Sequence, residues 1–347
     1  MNVRTQVTNR PQAIAATRIA DNVLDLVGQT PMVRLPRYLD RADVNLIAKV
    51  EALNPGGSAK DRPARHMIES ALKDGRLKAG DTVVESSSGN MGIGLAQVCG
   101  VHGLKFICVV DPNAQSQNVA IIRALGGVIE LVNHAPDGDF LAARLDRVAA
   151  LLQEDSDRFW PNQYANLDNP ESHELGTIAE IDTTLGGRID VLFVACSSTG
   201  TARGCRDYLR RMGRKTKVVA VDAMGSTLFN GTAGPRKISG MGAGRIPALA
   251  KGQEFDDLVR VSDITCVAGC RRAVAREGLL VGGSGGGVLE AVRGMQDELA
   301  GQTVAAIIHD SGSRYLGTVF DPEWVERELG VCEADVIAMA GLAPENS

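Results

Sequence analysis

Asn45-Leu46-Ile47-Ala48-Lys49-Val50-Glu51 leads into Asn54-Pro55-Gly56-Gly57-Ser58-Ala59-Lys60-Asp61-Arg62-Pro63, and this passage decides the fold. A short apolar run, a turn rich in Gly, Ser and Pro, and an amphipathic pattern over Pro63–Asp74 read as strand, loop and helix. The loop delivers one lysine to a helix start. A lysine amine can form a Schiff base with a carbonyl cofactor, and the helix N-terminus with neighbouring Arg62 is expected to lower its pKa. The alternative is a solvated surface lysine.

The same alternation continues outward from this unit. Strands are expected at Thr82–Glu85, Lys105–Val110 and Gly127–Val132, and helices at Met91–His102 and Asp139–Gln153. Phe159–Asn169, rich in aromatic and amide side chains, reads as a crossover. A second series has strands at Val191–Ala195, Lys217–Val221, Leu258–Val261 and Thr303–His309, with helices near 171–183, 202–212, 264–277 and 288–299. This is an α/β chain with mostly parallel sheets flanked by helices. Residues 1–20 are expected to form a flexible arm, 46–165 a smaller N-terminal α/β domain, 21–45 with 166–330 a larger one, and 331–347 a tail.

The 347 residues carry 37 basic and 42 acidic side chains, a formal charge of -5, with no sustained basic run. Nucleic acid is excluded as a partner. No apolar run approaches the roughly 20 residues of a membrane helix and no signal pattern opens the chain, so a cytoplasmic protein is expected. Seven cysteines without a CxxC pair read as reduced thiols. The five histidines have no metal-ligand spacing, and no metal site is expected.

Three further loops can carry chemistry. Glu85-Ser86-Ser87-Ser88-Gly89-Asn90-Met91-Gly92 ends a strand and opens a helix, suiting an anion such as an amino-acid carboxylate, or serving only as an N-cap. Ser197-Ser198-Thr199-Gly200-Thr201 follows the most apolar strand and offers hydroxyls and free N–H groups to a phosphate. Gly282-Gly283-Ser284-Gly285-Gly286-Gly287 is either a tight turn or a close approach of backbone to a ring, with one hydroxyl at Ser284. No GxxxxGK[ST] is present, and Gly240-Met241-Gly242-Ala243-Gly244 lacks the dinucleotide spacing, so a monophosphate ester fits better.

In this order, with the opening Leu26-Val27-Gly28-Gln29-Thr30-Pro31-Met32-Val33 and the closing Asp310–Leu316, the loops resemble the fold-type II pyridoxal 5'-phosphate (PLP) family. That family contains cysteine synthase, cystathionine β-synthase and threonine dehydratase, and the match runs from about Val23 to Tyr315. The resemblance implies a two-domain, tryptophan synthase β-like fold and a homodimer. It implies that Lys60 carries the cofactor, Asn90 meets its phenolic oxygen, Ser197, Ser198, Thr199, Gly200 and Thr201 hold its phosphate, and Ser284 faces the ring nitrogen. Ser87, Ser88, Asn90 and Gln163 match the substrate-carboxylate cradle, but Met91 replaces the usual threonine.

Pro63, Val110-Asp111-Pro112, Asn162–Asn166 and Val221–Ser226 depart together from cysteine synthase. They resemble a siderophore-precursor branch of the family, as does Arg245, which stands where sulfide-using relatives tend to be apolar. This implies O-phospho-L-serine as donor and L-glutamate as acceptor, joined by β-replacement into N-(2-amino-2-carboxyethyl)-L-glutamate, a step toward 2,3-diaminopropionate. Arg144, Tyr164 and Arg245 are the residues nominated for the second substrate. The competing readings are a cysteine synthase using O-acetyl- or O-phosphoserine with sulfide, and a non-catalytic cofactor-binding scaffold.

Overall fold

The computed structural model describes residues 19–135 and 138–342, so most of the expected arm and the last residues of the expected tail lie outside the described part. Two sheets organise the chain. The larger has six strands, formed by β1 (Met32–Arg34), β2 (Asn45–Val50), β6 (Val191–Ala195), β7 (Lys217–Ala223), β8 (Asp257–Val261) and β9 (Thr303–Ile308), in the order β1-β2-β9-β6-β7-β8. Only the β1–β2 pair is antiparallel. The smaller sheet is wholly parallel, β3 (Thr82–Ser86), β4 (Lys105–Val110) and β5 (Val128–Leu131). The strand that starts the smaller domain in the sequence reading, Asn45–Val50, therefore belongs to the larger sheet, paired with β9.

Alternation explains why β6 and β7 are apolar almost throughout. Val191, Phe193, Val219 and Val221 face one cluster, packed with α8 (Asp263–Glu277) and α9 (Gly283–Gly294); Leu192, Val194, Val218 and Ala220 face another, with α6 (Ile178–Thr184) and α7 (Gly200–Arg211). A sheet covered on both faces buries both parities of its strands. The small sheet repeats this on a lesser scale. Val83, Phe106 and Cys108 pack against α1 (Asp61–Asp74) and α2 (Asn90–Val101), and Val84 and Val109 against α4 (Phe140–Glu154).

Two expectations are corrected here. The glycine run at 282–287 is neither a tight turn nor a loop but the first turns of α9, so the helix expected near 288–299 starts at Gly283 and ends at Gly294. The glycines let α8 and α9 touch backbone to backbone: a Cβ on Gly269 would lie 2.2 Å from the Gly286 carbonyl, and one on Gly286 2.3 Å from that of Cys266. Within the expected tail, Glu333–Met339 is a helix and not loose chain. The fully buried Arg272 donates to the carbonyls of Tyr38 (2.6 Å) and Ala340 (2.8 Å) and to Asp40 (2.7 Å), tying that end down. No described helix is long and apolar enough to cross a membrane.

Candidate active site

Lys60 immediately precedes α1, on a loop stitched in place from several sides. The Ala59 N–H donates to the His309 carbonyl (2.7 Å), Ser58 bridges Asp310, and the Lys60 N–H donates to Ser58 Oγ (3.2 Å). The Asp61 carboxylate takes the Gly56 N–H, and burial pushes its pKa up to about 7. Arg62 is engaged by carboxylates. Its guanidinium forks onto Glu51 (2.6 and 2.8 Å) and Glu180 (2.7 and 2.8 Å), and Lys49 joins Glu180 at 2.5 Å. Asn54 donates to Glu51 (3.0 Å) and accepts the Gly28 N–H (2.8 Å), so the opening segment and the lysine loop share one buried network.

The Lys60 pKa is lowered, as the sequence suggested, but by a different cause. Desolvation pushes it down, while the carboxylates of Asp310 and Glu51 pull it partly back; Arg62, neutralised by two carboxylates, plays no part.

The half-buried lysine opens into a cavity of about 300 Å³ between the two sheets. Ser87, Ser88, Asn90, Arg144, Gln163, Tyr164, Ser197 and Ser284 all line it, so residues from both halves of the chain converge. Ser87 Oγ accepts the N–H groups of Gly89 (3.3 Å) and Gly92 (3.0 Å), leaving its own proton to face the cavity. Arg144 donates to Ser88 Oγ (2.7 Å) and pairs with Asp111 (3.0 Å). Gln163 is held by an N–H bond to the buried Glu85 (3.1 Å) and a side-chain bond to the Ser86 carbonyl (3.2 Å).

Asp310 received no individual role from the sequence, yet it organises one wall. It accepts from Asn90 Nδ2 (2.7 Å) and Tyr315 Oη (2.6 Å), and Arg314, equally unforeseen, bonds Asn90 Oδ1 and the Gly56 carbonyl. Burial raises the Asp310 pKa and pushes His309 down to about 3, and neither imidazole nitrogen of His309 has a partner among the described residues. His173 lies in a π-helical turn, His173–Thr177, and bonds Thr177 (2.9 Å) and Thr201 (3.2 Å).

The Ser197–Thr201 loop is only partly in the cavity. Ser197 lines it; Ser198, Thr199, Gly200 and Thr201 lie behind, and the Thr199 and Thr201 hydroxyls are engaged by Gln253 (2.9 Å) and His173. What remains free is backbone: no N–H from Ser198 to Thr201 donates to a described acceptor, at the start of the 12-residue α7. Thr199 takes a left-handed conformation (φ +69°) to aim this turn, and Gly200 abuts Asn169 so closely that a Cβ would lie 2.1 Å from Oδ1. Ser284 sits in the first turn of α9, 3 % exposed.

An outer cavity of about 840 Å³ adjoins the first, sharing Asn113, Arg144, Tyr164 and Ser197. Arg245 belongs here and not to the inner chamber; it pairs with Asp139 at 2.6 Å across the mouth. Arg236, which the sequence reading passed over, lines the same space. Away from both, His66, Asp168 and Glu171 bring ligand-type atoms within 4.8 Å of one another, a grouping no sequence spacing signals. His66 already pairs with Glu171 (3.1 Å) and Arg76 lies 3.6 Å from Asp168, so these groups are accounted for as ion pairs.

Comparison with known proteins gives a consistent picture. The model of the family described as "Pyridoxal-phosphate dependent enzyme" matches residues 23–310. Two curated relatives, both named N-(2-amino-2-carboxyethyl)-L-glutamate synthase, are similar over 89 % of this chain and 92 % of their own length. One, from Cupriavidus metallidurans, is 40 % identical, and one, from Ralstonia nicotianae, 42 %. Among solved structures, a hydrogen sulfide-producing enzyme from Fusobacterium nucleatum is 32 % identical with a TM-score of 0.81, over 86 % of this chain and 100 % of its own. O-ureido-L-serine synthase is 31 % identical with a TM-score of 0.81, over 92 % and 100 % respectively.

Proposed function

The chain belongs to the pyridoxal-phosphate dependent enzyme family, and from that premise we propose that it joins O-phospho-L-serine and L-glutamate into N-(2-amino-2-carboxyethyl)-L-glutamate, releasing phosphate. The observation that carries this reading is the similarity, across nine-tenths of the chain, to two synthases of that name.

The residues fit the cofactor. An unpaired, desolvated amine at Lys60, open N–H groups at the start of α7, the Asn90 amide and the Ser284 hydroxyl form a donor set that a phosphorylated pyridine aldehyde satisfies. Lys60 is the residue to carry it, Ser197 to Thr201 the phosphate site, Asn90 the partner of the phenolic oxygen and Ser284 that of the ring nitrogen. When bound, PLP supplies an electron sink for the substrate's α-carbon, and a serine at the ring nitrogen favours elimination and replacement over transamination.

The chain's own groups then have definite work. Ser87, Ser88 and Gln163 hold the donor's carboxylate, since the two serine hydroxyls already accept from N–H groups and so have protons to give. Lys60 Nζ takes the α-proton and later returns it, a task suited to an amine whose pKa burial has lowered. The inner chamber, small and closed by Tyr164 and Arg144, limits water while the outer chamber admits a second amino acid. In the same reading the protein is a cytoplasmic homodimer serving siderophore-precursor synthesis.

The deciding experiment mixes the holoenzyme with O-phospho-L-serine and either L-glutamate or sulfide, and identifies products by mass. The N-linked adduct with release of phosphate supports the proposal. Cysteine from sulfide, with no adduct from glutamate, overturns it in favour of a cysteine synthase, and no product from either points to a silent scaffold.

A further inference from the structure

The outer cavity has three guanidinium groups in its wall, Arg144, Arg236 and Arg245, against a single carboxylate, Asp139, in a chain whose formal charge is -5. Two of the three are committed. Arg144 pairs with Asp111 at 3.0 Å and Arg245 with Asp139 at 2.6 Å. Arg236 makes no ion pair and no hydrogen bond with any described residue, although its Nε is fully buried. Asp222, the buried carboxylate that feels its charge, accepts the Ala223 N–H at one oxygen (2.9 Å) and has Arg260 3.9 Å from the other, so it is not Arg236's own partner.

The chain nevertheless makes room for this side chain. A Cβ on Gly242 would lie 2.7 Å from Arg236 Nη1 and 3.2 Å from its Cδ, and one on Gly244 3.3 Å from Nη2. The Gly242-Ala243-Gly244 strip, which matches no nucleotide fingerprint, is thus moulded around a guanidinium. A half-buried guanidinium with no ion pair or hydrogen bond of its own among the described residues costs folding energy, and a bidentate carboxylate on the ligand is the natural offset.

We propose that Arg236 is a specificity-determining residue that binds the side-chain carboxylate of the acceptor, so that the outer cavity selects α-amino dicarboxylates over neutral amino acids. This rests on the synthase reading above and deepens it.

The test uses holoenzyme variants Arg236→Gln and Arg236→Lys. Arg236→Gln is expected to raise KM for glutamate roughly 10- to 100-fold with kcat within about threefold, from the loss of a two-point charge-assisted contact. The preference for glutamate over glutamine should shrink by a similar factor, and the spectral response to O-phospho-L-serine alone should be unchanged. Lysine keeps the charge without the fork and should fall between.

A second readout does not depend on turnover. Trp160 lines the outer cavity, so titration with glutarate should change its fluorescence in the wild type and do so only at much higher concentration in Arg236→Gln. If the wild type makes the adduct and Arg236→Gln makes it at an unchanged KM, the role of Arg236 is overturned and the synthase reading stands. If the wild type makes no adduct, the synthase reading falls, and the glutarate titration alone then decides: equal affinities overturn the inference, and weakened binding in the variant sustains it.

Discussion

The inner and outer chambers share a wall but are built on opposite plans. Around the inner chamber nearly every charge is tied to another protein group. Arg62, Glu51, Glu180 and Lys49 form one closed network behind it, and Asp310, Asn90, Tyr315 and Arg314 another along its side. Among the described charged groups that line it, Lys60 alone has no side-chain partner. The outer chamber is larger, cationic, and keeps one guanidinium, that of Arg236, with no ion pair or hydrogen bond among the described residues. Rigid, internally satisfied surroundings suit chemistry that must hold a few atoms in fixed relation; a charged, roomier vestibule suits choosing a partner. One protein can thus share its inner chamber with relatives of other substrate while differing in the outer.

The strongest way to break this contrast is Lys60→Ala. If the inner chamber depends on that amine, turnover should fall by at least about a thousandfold, because the proton transfer and the cofactor attachment are lost together. Glutarate binding in the outer chamber, followed by Trp160 fluorescence, should be nearly unchanged. A comparable loss of both would mean the chambers are one site and not two.

Next in size is Arg62→Met, aimed at the network behind the lysine. Removing the guanidinium strands Glu51, which is 0 % exposed, against Glu180, and breaking a buried pair in this way costs about 3–5 kcal/mol. The urea midpoint of the holoenzyme should drop accordingly. The double variant Arg62→Met, Glu51→Gln should regain part of the loss, since it removes one of the stranded charges. An unchanged midpoint would mean that Arg62 is not the keystone the geometry implies.

The two chambers also differ in how well they can be read from sequence. Lys60, Ser87 and Asn90 lie in or beside small-residue loops and Ser284 in the glycine-rich first turn of α9, where geometry and composition are coupled, and all four reach the cavity. Strand positions were equally legible, because a fully buried parallel strand such as Val191–Ala195 announces itself as an apolar run. Long-range pairings left no such trace. Arg62 lies next to Lys60 in sequence, yet its partners are 11 and 118 residues away, and nothing local says that its charge is spent on them. Arg245 likewise pairs with Asp139, 106 residues distant, a contact that nothing local announces. The glycines at 282–287 looked like a loop because their helical state depends on backbone contact with α8, a tertiary fact that overrides propensity.

The shared wall offers the finest test. Glu85, next to the end of β3, is fully buried, takes N–H bonds from Ser86 (2.9 Å), Trp160 Nε1 (3.0 Å) and Gln163 (3.1 Å), and so holds the segment that presents Gln163 inward and Tyr164 to both chambers. Burial raises its pKa to about 7, against 4.5 ordinarily. A carboxyl whose folded pKa is raised binds more protons in the native state, so its contribution is complete below about pH 4.5 and is lost as pH rises through about 7. The shift corresponds to a contribution on the order of 3 kcal/mol across that window. His309, pushed down to about 3, acts in the opposite sense between there and its ordinary 6.5, and burial lowers His173 as well, so the net slope of the wild type is no guide. The comparison to make is wild type against Glu85→Gln. The difference in stability between them should change steadily from pH 4.5 to 7, with the wild type losing ground as pH rises, and should level off above. A difference that stays flat would mean Glu85 is ionised throughout and held by its three N–H donors, which would make the shared wall as electrostatically committed as the network behind Lys60.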